Sequence, residues 1–287
     1  MQVVLEAQEG PRGLKLNTHD IEYSTGDEFE LVPIADVHAG SSNCDLDLFD
    51  DVLDSVAANP NARVILGGDL IESITPRDPR WSAGGIDPNW ITLANLDRLC
   101  DVYVEKMAAK LSRISGQIIA ATDGNHEAKA GSHYSTNLTA RIMDAIGRPD
   151  AYVGWACLTR IVFTHKTRGR SLPVRIFHSH GWQAGRQEGG KVNEIRRLLA
   201  YVEADIYLQG HSHSKWVIPQ TRLSTNGRFT KLTAHEVFTA HTGSFLRTLQ
   251  QDHVGYAETA GYPPTSTGVV RFKLRPEEDH VNIEAVI

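Results

Sequence analysis

The chain has 287 residues, of which 41% are hydrophobic and 22% are charged, as in an ordinary globular protein with a substantial core. Its formal net charge of −6 argues against a strongly basic nucleic-acid-binding body, although a local basic patch is compatible with it. The three cysteines are far apart and form no C-x-x-C pair, which favours reduced structural thiols over zinc–thiolate or redox chemistry.

The N-terminal residues lack the basic segment and the apolar core of a signal peptide, and no apolar run approaches the roughly 18 residues that a membrane span requires. We therefore expect a soluble cytoplasmic protein without a membrane partner. Residues 1–28 are polar and rich in turn residues, which is compatible with an opening strand or hairpin or with a loosely attached arm. Residues 29–287 show no compositional break and are expected to form a single domain.

From residue 29 onward, a short apolar run followed by a polar cluster recurs along the chain, and a segment of helical periodicity often comes next. The apolar runs have the length and β-branching of strands, and they lie at Leu31–Ala35, Val64–Leu66, Ile118–Ala121, Val174–Phe177 and Ile206–Leu208. Apolar spacings of three and four predict helices over about 49–56, 93–114, 136–146 and 192–202. Beyond residue 215 the pattern predicts further strands without helices.

Each predicted strand ends in side chains that can bind a metal ion. These residues are Asp36 and His38, Asp69, Asn125 and His126, His178 and His180, and His211 and His213. Taken singly, any one cluster is more often structural, since a buried histidine is usually a hydrogen-bonded core residue. In strand–helix folds, however, ligands gather beyond the carboxyl ends of the strands, so equivalent positions in successive units indicate one shared site.

The residue types in these clusters suit one chemistry. Carboxylate oxygens, an amide oxygen and imidazole nitrogens bind Mn²⁺, Fe or Zn²⁺ in preference to Ca²⁺. There are too many ligands for one tetrahedral ion, whereas two ions about 3.5–4 Å apart would use them all and would need a bridging carboxylate. Asp69 is the natural bridge, because the glycines before it leave room for backbone and metals to approach closely.

The ordered motif set resembles that of the calcineurin-like metallophosphoesterases. The matching motifs are Asp36-x-His38, Gly68-Asp69-x-x-Glu72, Gly124-Asn125-His126-Glu127, His178-Ser179-His180-Gly181 and Gly210-His211-x-His213. The wider sequence, including His180-Gly181-Trp182, Gly185-Arg186 and the stretch 256–268, is similar to phage and prophage members, which implies a bacterial or phage-infected cytosol.

The resemblance implies an α/β fold, a four-layer α/β/β/α sandwich of two mixed sheets flanked by helices, with the site along one edge. It also implies two divalent metal ions, with Mn²⁺ favoured and Fe, Zn²⁺, Ni²⁺ or Mg²⁺ as alternatives. Asp69 would bridge the two metals. Asp36, His38 and His213 would bind the first metal, and Asn125, His211 and a histidine from His178/His180 would bind the second.

The same resemblance assigns His126 to the substrate, where it would contact the phosphate and protonate the leaving group. Glu72 and Glu127 would orient the ligands. At the fourth motif Ser179 replaces the glycine that is common in the family. We favour His178 as the ligand there, because it directly follows the apolar run, and keep His180 as the alternative.

The expected reaction is phosphodiester hydrolysis by a hydroxide formed between the two cations, with a nucleic acid or a nucleotide as a candidate substrate. Two alternatives stay open: a phosphomonoesterase or phosphoprotein phosphatase, and a non-catalytic scaffold of the same fold. The loop from Ser73 to Asn89 is either a lid over the site or a surface insertion. The basic residues Arg186, Lys191, Arg196 and Arg197 would favour a polyanionic substrate if they faced the metals, although a solvated helix face is the simpler interpretation.

Overall fold

The computed structural model describes residues 14–74, 81, 83–182, 187–226, 228–249, 261 and 263–287. The strands are β1 (Lys15–Tyr23), β2 (Phe29–Ile34), β3 (Ala62–Leu66), β4 (Ile118–Thr122), β5 (Tyr152–Gly154), β6 (Ala156–His165), β7 (Ser171–Ser179), β8 (Ile206–Gln209), β9 (Lys215–Thr225), β10 (Leu232–Ser244), β11 (Gly268–Val269), β12 (Arg271–Pro276) and β13 (Val281–Val286). The α-helices are α1 (Leu46–Ala58), α2 (Leu99–Leu111), α3 (Asn125–Tyr134), α4 (Leu138–Ala145) and α5 (Glu188–Leu198). No helix in this part of the chain is long and apolar enough to cross a membrane.

The strands form two mixed sheets. Sheet I has the order β1-β6-β7-β8-β10-β11, with β9 paired to β10 in a long antiparallel hairpin. Sheet II has the order β13-β12-β2-β3-β4-β5. The central strands are parallel in both sheets: β2, β3 and β4 in sheet II, and β7, β8 and β10 in sheet I. Parallel neighbours end at the same edge, so the segments after them meet there.

The core has three parts, and together they produce four layers. Residues such as Leu31 and Ile161 bury the inner faces of the two sheets against each other. Helices α1, α2 and α4 cover the outer face of sheet II, with Phe49 and Met107 fully buried there. Helix α5 covers the outer face of sheet I through Ile195. The prediction of an α/β/β/α sandwich with two mixed sheets flanked by helices is therefore confirmed.

The structure differs locally from the expected elements. The helix predicted over about 93–114 is divided into a 3₁₀ turn at Leu93–Arg98, helix α2, and a second 3₁₀ segment at Ser112–Gln117. Helix α3 and strands β5 and β6 were not predicted from the apolar pattern. In the N-terminal region, β1 pairs along its whole length with β6, so its residues belong to sheet I.

Candidate metal centre

Asp36 and His38 begin the site directly after β2. The backbone leaves the strand through left-handed conformations, with φ of 52° at both residues, and its N–H groups donate to Gly68 O (3.0 Å) and Asp69 O (2.9 Å). These bonds join the segment after β2 to the segment after β3. The Asp36 carboxylate is fully buried and accepts the backbone N–H of His211 at 2.8 Å, which joins it to sheet I as well.

Asp69 lies where the segments after β3 and β4 touch. A Cβ on Gly124 would lie 2.1 Å from the backbone nitrogen of Asp69, and one on Gly68 (φ +84°) would lie 2.5 Å from the nitrogen of Gly124. Only glycines allow this approach. As a result, the N–H of His126 in the first turn of α3 donates to Asp69 Oδ1 at 2.9 Å, with the positive end of the helix dipole toward the carboxylate.

Glu127 stabilises the same contact between the segments after β3 and β4. Its buried carboxylate accepts hydrogen bonds from the backbone N–H groups of Asp69 (3.0 Å), Leu70 (2.7 Å), Ile71 (3.2 Å) and Gly124 (3.1 Å). Burial, with a contribution from the Asp69 charge, raises the pKa of Glu127 to about 7. The residue therefore fixes the backbone of the Asp69 loop.

Glu72 orients two imidazole rings. Its carboxylate accepts a hydrogen bond from His38 Nδ1 at 2.8 Å, and its backbone carbonyl accepts one from His126 Nδ1. A carboxylate behind a histidine fixes the ring and its tautomer and leaves the other nitrogen for a metal. In His38 that other nitrogen, Nε2, lies 3.2 Å from Nε2 of His213.

Of the two fourth-motif histidines, only His180 lies at the cluster. Its Nδ1 donates to the Gly67 carbonyl (2.8 Å), and its Nε2 lies 2.9 Å from Asn125 Oδ1 and 3.1 Å from Asp69 Oδ2. His178 is within β7 and is hydrogen-bonded through Nε2 to Thr159 Oγ1 of β6 at 2.8 Å. Two residues span about 6.6 Å along a strand. His178 therefore lies that far before His180, within the sheet and away from the edge where the ligand atoms meet. The structure thus differs from our preference for His178.

His211 and His213 come from the turn after β8. Both have left-handed backbone conformations, with φ of 65° and 54°. His213 Nε2 lies 3.5 Å from Asp36 Oδ1, and the ring of His211 packs edge-on against that of His180 with centroids 5.1 Å apart. Five of the nine non-glycine residues with positive φ in the described part of the chain belong to this site. Such concentration of backbone strain is typical of functional sites.

The predicted residues converge into three overlapping groups whose ligand atoms lie within 4.8 Å of one another: Asp36, His38 and His213; His38, Asp69 and His126; and Asp69, His180 and His211. Asp69 is shared by two of them. At such distances the lone pairs of oxygen and nitrogen ligand atoms repel one another unless a proton or a cation lies between them. The set combines carboxylates with imidazoles, and the rings of His38 and His180 are each held through Nδ1, which leaves Nε2 for a metal. Such a set fits divalent metals of the Mn²⁺, Fe or Zn²⁺ type.

The protein environment shifts the pKa values of the carboxylates and imidazoles in the site in different directions. Burial raises the pKa of Asp36 to about 7, whereas His180 and His126 outweigh burial at Asp69 and hold its pKa well below the ordinary value. Burial opposes charge on His180 too, but Asp69 raises its pKa to about 10. Burial, together with His180, lowers the pKa of His211 to about 4. Bound cations would take the place of the protons that neutralise the carboxylates.

Several residues that contact the site were not singled out by sequence reasoning. Buried His241 of β10 hydrogen-bonds through Nδ1 to Ser212 Oγ (2.5 Å). Trp155, half-buried, packs edge-on against His180 with centroids 6.2 Å apart. The interpretation of α5 as carrying a solvated basic face is wrong for Lys191, which is 3% exposed, although Arg196 and Arg197 are exposed.

Some predictions concern residues outside the described part of the chain. They include positions 75–80 and 82 of the loop from Ser73 to Asn89, Gly185 and Arg186 after the fourth motif, and residues 256–260 and 262 of the stretch that is similar to phage proteins. Directly after this loop, Trp90 is buried against Tyr103 of α2, with ring centroids 6.3 Å apart. Whether this loop covers the site stays a prediction.

No protein family model matches the chain, and no curated protein matches it. Similar solved structures include a conserved uncharacterized protein of Streptococcus pneumoniae described as a predicted phosphoesterase, with 11% identity over 91% of this chain and 90% of that chain and a TM-score of 0.35. A double mutant of Vps29 from Entamoeba histolytica has 10% identity over 91% and 98%, with a TM-score of 0.37. A metallophosphoesterase from Sphaerobacter thermophilus has 11% identity over 90% and 89%, with a TM-score of 0.37. Similarity at this level carries no functional argument, so the function is inferred from the site.

Proposed function

We propose that this chain is a metal-dependent phosphoesterase that hydrolyses phosphodiester bonds. The observation that supports this proposal is the shared position of Asp69, a fully buried carboxylate that belongs to two of the three groups able to hold a metal. A permanent anion between two sets of ligands is what a pair of nearby cations requires. The ordered motifs on both sides of Asp69 resemble those of the calcineurin-like metallophosphoesterases.

In this proposal each sheet supplies ligands to both metals. Asp36 and His38 of sheet II and His213 of sheet I would hold one cation, and Asn125 of sheet II with His180 and His211 of sheet I would hold the other. Asp69 would contact both. His180 takes the place that the sequence analysis preferred for His178, because its Nε2 is directed at Asp69 and Asn125. The motif resemblance implies Mn²⁺ as the metal, and the mixed oxygen and nitrogen ligands leave Fe, Zn²⁺, Ni²⁺ or Mg²⁺ as alternatives.

When bound, such cations supply a nucleophile from water near neutral pH and neutralise charge on the phosphate oxygens. The protein adds a proton donor. The Nδ1 of His126 is held by the Glu72 carbonyl, so a proton transferred to the leaving alcohol would come from Nε2. His126 is placed in the same group as Asp69 and His38, and its backbone N–H fixes the Asp69 carboxylate.

The preference for a diester rests on the resemblance of the motif set to diesterases, and a nucleic acid or nucleotide is the proposed substrate. Trp155 supports that choice. Its indole packs on His180 and is partly exposed, so it offers an aromatic surface beside the site on which a base can stack.

The test is a metal-reconstitution assay. Chelated protein should be inactive, and added Mn²⁺ should restore hydrolysis of a bis-aryl phosphodiester, of single-stranded DNA, of RNA or of a cyclic nucleotide. Metal analysis of the restored protein should give two ions per chain. A higher kcat/KM for an aryl monophosphate than for the diester would favour the phosphomonoesterase alternative. Stoichiometric metal without hydrolysis of any phosphate ester would favour the scaffold.

A further inference from the structure

The turn that carries His211 and His213 is intrinsically strained. Both histidines have left-handed φ values, and between them the N–H of Ser212 donates to Gly210 O at 2.7 Å, which closes a tight turn. A left-handed conformation costs a residue with a side chain about 1–2 kcal/mol. Such a turn does not hold its own shape, so its geometry depends on contacts with its surroundings.

One set of contacts comes from α5. The ammonium group of Lys191, buried beneath the helix, lies 2.8 Å from Ser214 Oγ, 2.8 Å from Glu188 Oε1 and 3.4 Å from the backbone carbonyl of Ser212. Ser214 Oγ in turn donates to the Glu188 carboxylate at 3.0 Å. A buried ammonium must find partners for its three N–H bonds, and here two of the three partners belong to the turn after β8.

A second contact comes from β10. His241, opposite Gln209 in the sheet, hydrogen-bonds through Nδ1 to Ser212 Oγ at 2.5 Å. The imidazole is 3% exposed and packs against Trp216 of β9, with centroids 4.7 Å apart, so its own position is constrained. Ser212 is therefore held at its carbonyl by Lys191 and at its hydroxyl by His241, from two different elements of the fold.

These contacts are made to the carbonyl and hydroxyl of Ser212 and to the hydroxyl of Ser214. The Asp36 carboxylate also holds the turn, by accepting the N–H of His211, but Asp36 is itself a proposed ligand. From this geometry we infer that Lys191 and His241 are positioning residues, which hold Ser212 so that His211 and His213 keep the spacing that the metals require. The inference rests on the proposed function, because it assigns these residues a purpose only if the two histidines bind metal.

The test is calorimetric titration of Mn²⁺ into the chelated full-length protein, together with kcat and KM on an aryl phosphodiester. Lys191→Met removes the charge and keeps the volume, and His241→Leu removes the contact to Ser212. Each should weaken Mn²⁺ binding by about 10–100-fold, the usual range for residues that orient ligands, and should lower kcat at saturating metal more than it raises KM. His241→Asn keeps a polar atom near the position of Nδ1 and should restore most of the affinity.

Ile195→Ala provides the matched control. Ile195 lies one turn further along α5 and is fully buried in an apolar cluster with Phe177 and Tyr207 of sheet I. The control should lower the melting temperature and leave Mn²⁺ affinity unchanged. If Ile195→Ala loses as much affinity as Lys191→Met at a comparable loss of melting temperature, Lys191 merely attaches the helix and the inference is overturned.

Two further outcomes decide the inference. Wild-type Mn²⁺ affinity in folded Lys191→Met and His241→Leu proteins overturns it. If Lys191→Met does not fold, Ser214→Ala removes a single partner of the ammonium group; a measurable loss of affinity supports the inference and an unchanged affinity overturns it. A wild-type protein that binds no Mn²⁺ overturns the proposed function and the inference with it, so the two failures are distinguishable.

Discussion

The two sheets contribute halves of the site that differ in charge and in how they are held. The carboxylate half comes from the segments after β2, β3 and β4 of sheet II and consists of Asp36, His38, Asp69, Asn125 and His126. The imidazole half comes from the segments after β7 and β8 of sheet I and consists of His180, His211 and His213. Behind the carboxylate half are the acidic side chains of Glu72 and Glu127. Behind the imidazole half are Lys191 and His241.

The side chains behind the two halves differ because the groups to which they hydrogen-bond differ. In the carboxylate half, the segment after β3 and the entry of α3 present backbone N–H groups, and the Glu127 carboxylate accepts their hydrogen bonds. In the imidazole half, the strained turn presents the carbonyl and the hydroxyl of Ser212. The ammonium group of Lys191 donates a hydrogen bond to that carbonyl. The carboxylate half therefore brings negative charge that bound cations would balance, whereas the imidazole half brings no negative charge and depends on its surroundings for the position of its side chains.

The strongest test of this comparison removes the anion that the two halves share. Asp69→Asn keeps the shape of the side chain and removes the permanent charge between the proposed metals. We expect metal-dependent hydrolysis of an aryl phosphodiester to be abolished, because a neutral amide does not bridge two cations. The measurement is kcat/KM at saturating Mn²⁺ together with the metal content. Full activity in this variant would contradict the two-metal assignment.

Within the carboxylate half, His126 should differ from the ligands in what its loss changes. His126→Ala should lower kcat by about 100- to 10,000-fold, as expected for loss of a general acid, while metals stay bound. The comparison is with His38→Ala, which should lose metal as well as activity. Use of a substrate with a better leaving group should reduce the His126→Ala defect. An equal defect for good and poor leaving groups would show that His126 does not protonate the alcohol.

The imidazole half gives a paired test at one motif. His180→Ala should weaken metal binding by at least about 100-fold, since it removes a ligand rather than a supporting residue, for which 10–100-fold is usual. His178→Ala should bind metal as the wild type does and should lower the melting temperature, because a buried side chain hydrogen-bonded to Thr159 is lost. Both measurements are titrations of the chelated protein. The reverse result would restore His178 as the ligand.

The smallest expected effect concerns the support of the carboxylate half. Glu127→Gln turns one acceptor oxygen into an NH₂ group that faces two of the four backbone donors. We expect a loss of about 2–4 kcal/mol in the free energy of unfolding, since buried donors are left without acceptors. Urea denaturation measures it. A solvent-exposed match such as Glu105→Gln on α2 should leave stability nearly unchanged.

Much of the site was predictable, because a parallel strand that ends in a polar cluster places that cluster at the sheet edge whatever the rest of the chain does. For that reason the structure brings Asp36, Asp69, Asn125 and His211 together at one edge, with His180 as the histidine from the fourth motif. The elements that escaped prediction have weak local patterns. Helix α3 begins within the Asn125-His126 motif and has few apolar residues, and β5 and β6 lie in a segment that the apolar pattern did not mark.

Sequence by itself determined which residue types stand at the strand ends and therefore the chemistry that the site can support. Tertiary structure decided which histidine of the fourth motif reaches the cluster, since His178 lies within β7 and His180 directly follows the strand. It also decided where Lys191 and His241 lie. No local pattern separates a lysine beneath a helix from one on its solvated face, because burial depends on how α5 packs against β8 and β10. Contacts between segments far apart in the chain arise only when the two sheets and their helices are assembled.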